Sequence, residues 1–242
     1  VAAAYKKEWI CEKTGQKAHF LRNGVADHQD YEAAKKGGDV DAALRVVRDT
    51  MDRLYLTRMK ISLNSLEANG IQKPILVAPY KEGGNNMLAR SAAVYLGREL
   101  GLDVDTNIVE TGTVSRKTLS KLGRVFSPAQ FEGKPEKGRT YIMVDDNMLS
   151  GSTFADLRTH LLKNGAGLAF SCALSTPDGK DSFLKPSENA LSAVSSELSS
   201  SIKDWMKNVA GVGLESLTKF EIGVLEKPAG RRELRDYIHA PG

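Results

Sequence analysis

Asp145 and Asp146 stand side by side at the end of an apolar run, residues 141–144, and Ser150-Gly151-Ser152-Thr153 follows four residues later. A short apolar run bounded by polar chain suits a buried strand. Carboxylates carried to the C-terminal end of such a strand lie where open α/β sheets bind ligands. A turn of small residues that opens a helix presents free backbone N–H groups and the positive end of the helix dipole, and together these hold an anion. Ser150, Ser152 and Thr153 add hydroxyls. Acids facing an anion cradle across a few residues suit a sugar phosphate, the acids taking sugar hydroxyls and the turn taking the phosphate. Plainer uses exist for the same residue types. A strand ending in two acids is common, and a Ser-Gly-Ser-Thr turn is also an ordinary helix cap.

Two further stretches could serve an anionic ligand. Lys81-Glu82-Gly83-Gly84 follows the apolar run at 75–78 and precedes a helical pattern at 87–100. Glycines let a backbone approach an anion closely, and Lys81 adds charge, although a simple strand-to-helix turn needs the same residues. Residues 111–139 are polar, basic and broken by glycine and proline, and contain Ser115-Arg116-Lys117, Lys121 and Arg124. Taken one at a time, these cations read as a solvated surface. No Gly-x-x-x-x-Gly-Lys-Ser/Thr or His-Glu-x-x-His pattern occurs, and His19, His28, His160 and His239 have no metal-ligand spacing. Surface or capping roles are expected of them. Trp205 falls at helical spacing and reads as core, while the Trp9, Cys11, His19 and Phe20 region reads as structural or as part of a substrate hood.

The segment 141–153 resembles the phosphoribosyl-diphosphate (PRPP) motif of type I phosphoribosyltransferases: an apolar strand, two acids, two usually apolar residues, then a Thr- and Gly-rich run ending in Thr. The resemblance spans roughly residues 70–176. It implies that Asp145 and Asp146 hold the ribose 2- and 3-hydroxyls and that Ser150, Gly151, Ser152 and Thr153 hold the 5-phosphate. It further implies that Lys81, Gly83 and Gly84 bind diphosphate, and that 111–139 is a loop closing over the reaction to exclude water. Arg116 and Lys117 would then stabilise the departing diphosphate electrostatically, alongside Asp145 and Asp146 as the catalytic set. Mg²⁺ is the implied cofactor, bound mainly through diphosphate and ribose oxygens with Asp145 as its carboxylate. Three positions depart from the pattern. Ser150 replaces a Thr, Asn147 replaces an apolar residue, and Leu149 stands where members carry Thr or Asp. Glu82 would repel diphosphate unless it points away or meets a metal.

The implied function is PRPP-dependent transfer of a phosphoribosyl group to a nucleobase or similar nitrogen acceptor, with release of diphosphate. The alternative is a non-catalytic regulator on the same fold that senses PRPP or a nucleotide or binds nucleic acid, and Leu149 and Glu82 favour it. A third is an interaction module that reuses the fold as a scaffold. PRPP or a nucleoside monophosphate is the expected small partner, with a homodimer as the expected assembly and nucleic acid not specifically indicated.

The elements that must position these residues are legible in outline. Strand, helix, strand, helix, strand from 74 to 174 predicts an α/β fold, a central mostly parallel sheet flanked by helices with helical N- and C-terminal elaborations. Residues 1–38 read as a polar, irregular segment that could form a hood, 39–176 as the core, and 177–242 as a helical extension. Within these, 40–68 predicts one long amphipathic helix capped by Asp39 or Asp41. Residues 105–110 predict a second strand, and 191–209 carry a continuous helical stripe with Ser187 as its cap. Thr218-Lys219-Phe220-Glu221 fits a capping box, and 231–239 predicts a last short helix. The 242 residues are 41% hydrophobic and 26% charged with net charge +4, an ordinary globular balance compatible with an anionic small substrate. No run reaches membrane-span length, and the first residues carry no signal-peptide pattern. Cys11 and Cys172 are too few and too far apart for a disulfide framework or zinc site. A cytoplasmic, reducing location is expected.

Overall fold

The computed structural model describes residues 17–20, 25–111, 119–176 and 182–239. Strand β1 (Lys17–Phe20) is followed by a single 3-10 turn and helix α1 (Tyr31–Lys36). Polar composition predicts irregular chain over 1–38, yet this stretch adds a strand to the main sheet and seats Ala34, fully buried, in the core. Val25 and Ala34 are its buried core residues among those described, too weak a hydrophobic signal to read in advance.

The predicted helix 40–68 is two helices, α2 (Val40–Thr50) and α3 (Arg53–Ala68). Asp39 caps α2 through the Ala42 N–H. The break comes at Met51, which is buried, and at Asp52, whose carboxylate accepts the Tyr55 N–H at 2.9 Å. A side chain competing for backbone donors ends one helix and starts the next.

Strand β2 (Ile75–Val77) and helix α4 (Leu88–Leu100) come next, and α4 stops at Gly101 in the left-handed region. The predicted strand 105–110 is interrupted where Asp105 accepts the Asn107 N–H. It becomes β3 (Val104–Asp105) and β4 (Val109–Glu110), which belong to different sheets. The expected loop 111–139 contains α5 (Lys121–Phe126), capped by Ser120, and β5 (Phe131–Glu132). Leu122 and Val125 of α5 are buried.

Then come β6 (Thr140–Asn147), α6 (Ser152–Lys163), β7 (Gly167–Ser175) and β8 (Ser182–Phe183). The main sheet runs β3-β2-β6-β7-β1-β8. All of its pairings are parallel except that of β8 with β1. This is the expected α/β architecture, with β6 central. Alternation along β6 sends Ile142 and Val144 toward the cluster built with α2, α3 and α4. Tyr141 and Met143 go to the opposite cluster, with Phe154, Leu157 and Leu161 of α6.

The stripe 191–209 is also split, into α7 (Glu188–Glu197) and α8 (Ser200–Asn208), with Ser187 and Ser199 as separate caps. Helices α9 (Lys219–Leu225) and α10 (Pro228–His239) complete the chain. The capping box of Thr218 and Glu221 is formed. These four helices share a third cluster with α5, in which Leu122, Val125, Val194, Met206, Ile222 and Leu234 are buried together.

Candidate functional site

Strand β6 runs through both acids, because Asp145 still pairs in register with Ala173 of β7 and Asn147 with Ser175. Past Asn147 the chain leaves the sheet, with the Met148 N–H held by the Ser175 carbonyl at 3.0 Å. It then turns at Gly151, φ 71°, into α6. Strand end and helix start enclose a cleft of about 450 Å³. Its walls carry Asp145, Asp146, the whole of Ser150–Thr153, and Asn147 and Leu149 between them.

The N-cap residue of α6, Gly151, carries no capping side chain; the Ser152 N–H reaches Ser150 Oγ at 3.4 Å, and the amides that follow it in the first turn need another partner. The hydroxyls of the turn are arranged differently from expectation. Ser152 Oγ donates to Glu221 Oε1 at 2.5 Å. Ser150 Oγ lies 2.8 Å from Ser152 Oγ, and since the Ser152 proton is committed, Ser150 is the donor in that pair. Both protons therefore run toward Glu221, away from the cleft. Thr218 Oγ1 donates to the Ser150 carbonyl at 2.5 Å. Of the turn's hydroxyls, only Thr153's remains for a ligand, beside the backbone amides.

Glu221 is fully buried and also accepts the Thr218 N–H at 2.8 Å. It was missed in the sequence as anything but a cap, and no local pattern links it to a turn 69 residues earlier. Lys35 was missed as well. It lines the cleft from α1 and forms an ion pair with Asp146. Asn86, Glu110 and Arg124 also line it. Arg124 is one of the cations of the basic stretch 111–139.

The other expected contributors are placed elsewhere. Lys81–Gly84 closes on itself, the Gly84 N–H reaching the Lys81 carbonyl at 2.9 Å. Lys81, Glu82 and Gly83 are exposed, and neither Lys81 nor Gly83 nor Gly84 lines the cleft. Arg116 and Lys117 lie outside the described residues. His28 accepts the Asp30 N–H, and His160 meets the Gly133 carbonyl at 2.8 Å, the capping and surface roles expected of them.

The two acids sit in different electrostatic settings. Burial, then the adjacent Asp146 carboxylate, push the Asp145 carboxyl well above the usual range. Burial acts to lower the Lys35 pKa, but the carboxylates of Asp146 and Asp145 raise it on balance. Among the described residues, no group of three or more His, Cys, Asp or Glu side chains could hold a metal ion. Magnesium demands a near-octahedral oxygen shell and is usually held by one or two carboxylates plus ligand phosphates. Here Asp146 is engaged by an ammonium, and Asp145 accepts the Asp146 N–H at 2.8 Å. The magnesium ion was expected on Asp145, and burial holds that carboxyl toward its protonated, poorly ligating form while Lys35 occupies the neighbouring Asp146, so the donor set does not fit the ion.

No family model matches the chain. Protein TraN of Escherichia coli is 30% identical over 225 residues, which is 91% of this chain and 49% of that protein. An uncharacterised Haemophilus influenzae protein is 31% identical over 142 residues, 57% of this chain and 30% of that one. The chain thus spans about half or less of the length of the curated relatives it matches. Among solved structures, adenine phosphoribosyltransferase from Thermoanaerobacter pseudethanolicus aligns over 49% of this chain and 67% of its own, at 16% identity and TM-score 0.32. UMP synthase from Leishmania donovani aligns over 81% of this chain and 35% of its own, at 14% identity and TM-score 0.32. No helix among the described residues is long and apolar enough to cross a membrane.

Proposed function

We propose that the cleft binds a 5-phosphorylated ribose, as carried by PRPP or a nucleoside monophosphate, and that phosphoribosyl transfer to a nitrogen acceptor is the reaction such binding serves. One observation carries the reading: paired acids at the end of β6 and the start of α6, whose N-cap is a glycine, share the walls of one cleft. The phosphate would sit on the α6 amides and the Thr153 hydroxyl, where partial positive charge is fixed in place. Asp145 and Asp146 would accept ribose hydroxyls. Arg124 and Lys35 would face the phosphate oxygens, as charge-assisted donors. In this reading no step runs through a metal ion.

Leu149 favours a second reading, binding without transfer. It is 46% exposed on the cleft wall. In the resembled motif a Thr or Asp occupies this position. An alkyl side chain there cannot move a proton to or from an acceptor base. Calorimetric titration with PRPP and with ribose 5-phosphate, paired with diphosphate release across a panel of nucleobases, tests both readings. Binding with base-dependent release supports transfer, and binding without release supports a sensor. Absence of binding, with Asp145→Asn and Asp146→Asn indistinguishable from wild type, would sink both.

A further inference from the structure

We infer that Lys35 serves the cleft as a built-in cation, so that a phosphorylated ribose is held there without a divalent metal ion, an inference that rests on the reading of the cleft as a ribose-phosphate site. Lys35 and Asp146 are 111 residues apart in sequence and form an ion pair at the base of the cleft. Their side chains are 23% and 7% exposed, so bulk water and salt screen the pair weakly.

The ammonium is held there by more than the pair itself. Ala34, its neighbour, is fully buried, and the Ala34 carbonyl accepts the Met87 N–H at 3.0 Å. The Ala33 carbonyl accepts the N–H groups of Gly37 and Asp39 at 3.0 and 3.2 Å, which ties the end of α1 to the cap of α2. Helix α1 is therefore fixed against both the 85–87 loop and the α2 start, and Lys35 projects from a braced element.

A sugar phosphate brings oxygen anions to a site that already holds carboxyl groups, and positive charge must offset them. A magnesium ion commonly does so by bridging carboxylate and phosphate oxygens. At Asp146 that place is taken. An ammonium has three donors. One goes to Asp146, and the other two are available to ligand oxygens as a compact point charge. A metal ion competing for Asp146 would have to separate a largely buried ion pair and leave the lysine without its counter-charge, which buried pairs resist strongly.

The test is calorimetric titration of the full chain with ribose 5-phosphate and with PRPP, in excess EDTA and in excess MgCl₂. Ribose 5-phosphate affinity is expected to agree between the two conditions within about threefold. Lys35→Met is expected to weaken binding in EDTA by about tenfold or more and to regain part of it with Mg²⁺, while Lys35→Arg keeps most of the EDTA affinity. Wild-type binding that disappears in EDTA and returns with Mg²⁺ overturns the inference and leaves the site reading standing. So does a Lys35→Met chain that binds as tightly as wild type in EDTA. If neither probe binds under any of these conditions, the site reading falls, and the inference with it. If Lys35→Met does not melt cooperatively, the wild-type comparison decides alone.

Discussion

Asp145 carries a carboxyl that burial and a neighbouring acid hold toward its protonated form. The folded chain therefore binds that proton more tightly than the unfolded one. As pH rises from the ordinary carboxyl range, about 4, through the raised folded pKa, stability falls, and above that pKa the whole penalty is present. Asp145→Asn is expected to raise the melting temperature at neutral pH, well above the ordinary carboxyl range, and to bring no gain near or below pH 4. Asn can still accept the Asp146 N–H, so geometry is preserved. Melting curves of both chains across pH check this, and a gain that persists at low pH contradicts it. Glu221 presents the opposite case, since its buried oxygens satisfy Ser152 and Thr218. Glu221→Ala leaves two buried donors without acceptors and is expected to cost about 2–4 kcal/mol in urea unfolding, with Glu221→Gln costing less. The acids and the small-residue turn could be found from adjacency in sequence. Lys35 and Glu221 could not, because each becomes part of the site only through contacts more than 60 residues distant.

Helix ends, more than helix interiors, set the arrangement of elements. Asp52 and Ser199 each start a helix inside what reads as a continuous apolar stripe. Apolar periodicity alone runs straight through such a break, since the residues on either side keep facing a core. The capping side chain is the only mark of it, and Asp and Ser are common on helix surfaces too. Asp52→Ala is expected to cost about 1 kcal/mol, and Ser199→Ala a similar amount, each measured by chemical denaturation. The two should add, because the caps serve different helices in different clusters. Gly151 is the turn on which the site depends. Its φ of 71° is left-handed, and a Cβ there would lie 3.0 Å from Leu184 Cδ2 and 3.2 Å from Thr218 Cγ2. Gly151→Ala is expected to destabilise by about 1–3 kcal/mol and to weaken ribose 5-phosphate binding, read by melting and by titration. The parallel sheet was legible because buried strands between glycine and proline turns leave a strong pattern. Strand β1 was not, because it lies in a polar segment, and its partner β7 is about 150 residues further along the chain.

At the scale of the molecule, two clusters sandwich the sheet, and a third joins α5 to the last four helices. The basic stretch expected to be a loop is thus partly anchored, with Phe126 meeting Trp205 edge-on and Tyr237 at a tilt, at centroid distances of 5.4 and 4.9 Å. A chain ending at residue 208 lacks α9, α10 and Glu221, and uncovers Leu122, Val125 and Met206. It is expected to self-associate on size-exclusion chromatography and to lose ribose 5-phosphate binding. Elution like that of the full chain, with full affinity, would count against the clamp that Glu221 and Thr218 place on the turn. That clamp also bears on the order in which the protein is made. Synthesis runs from the N-terminus, and domains tend to fold as their residues emerge. Asp145, Asp146 and the Ser150–Thr153 turn leave the ribosome well ahead of the side chains that hold the turn, Thr218 lying 68 residues past Ser150. A nascent chain arrested short of residue 221 would carry every letter of the motif without the side chains that hold its turn, so the site is finished only on chains extended past Glu221.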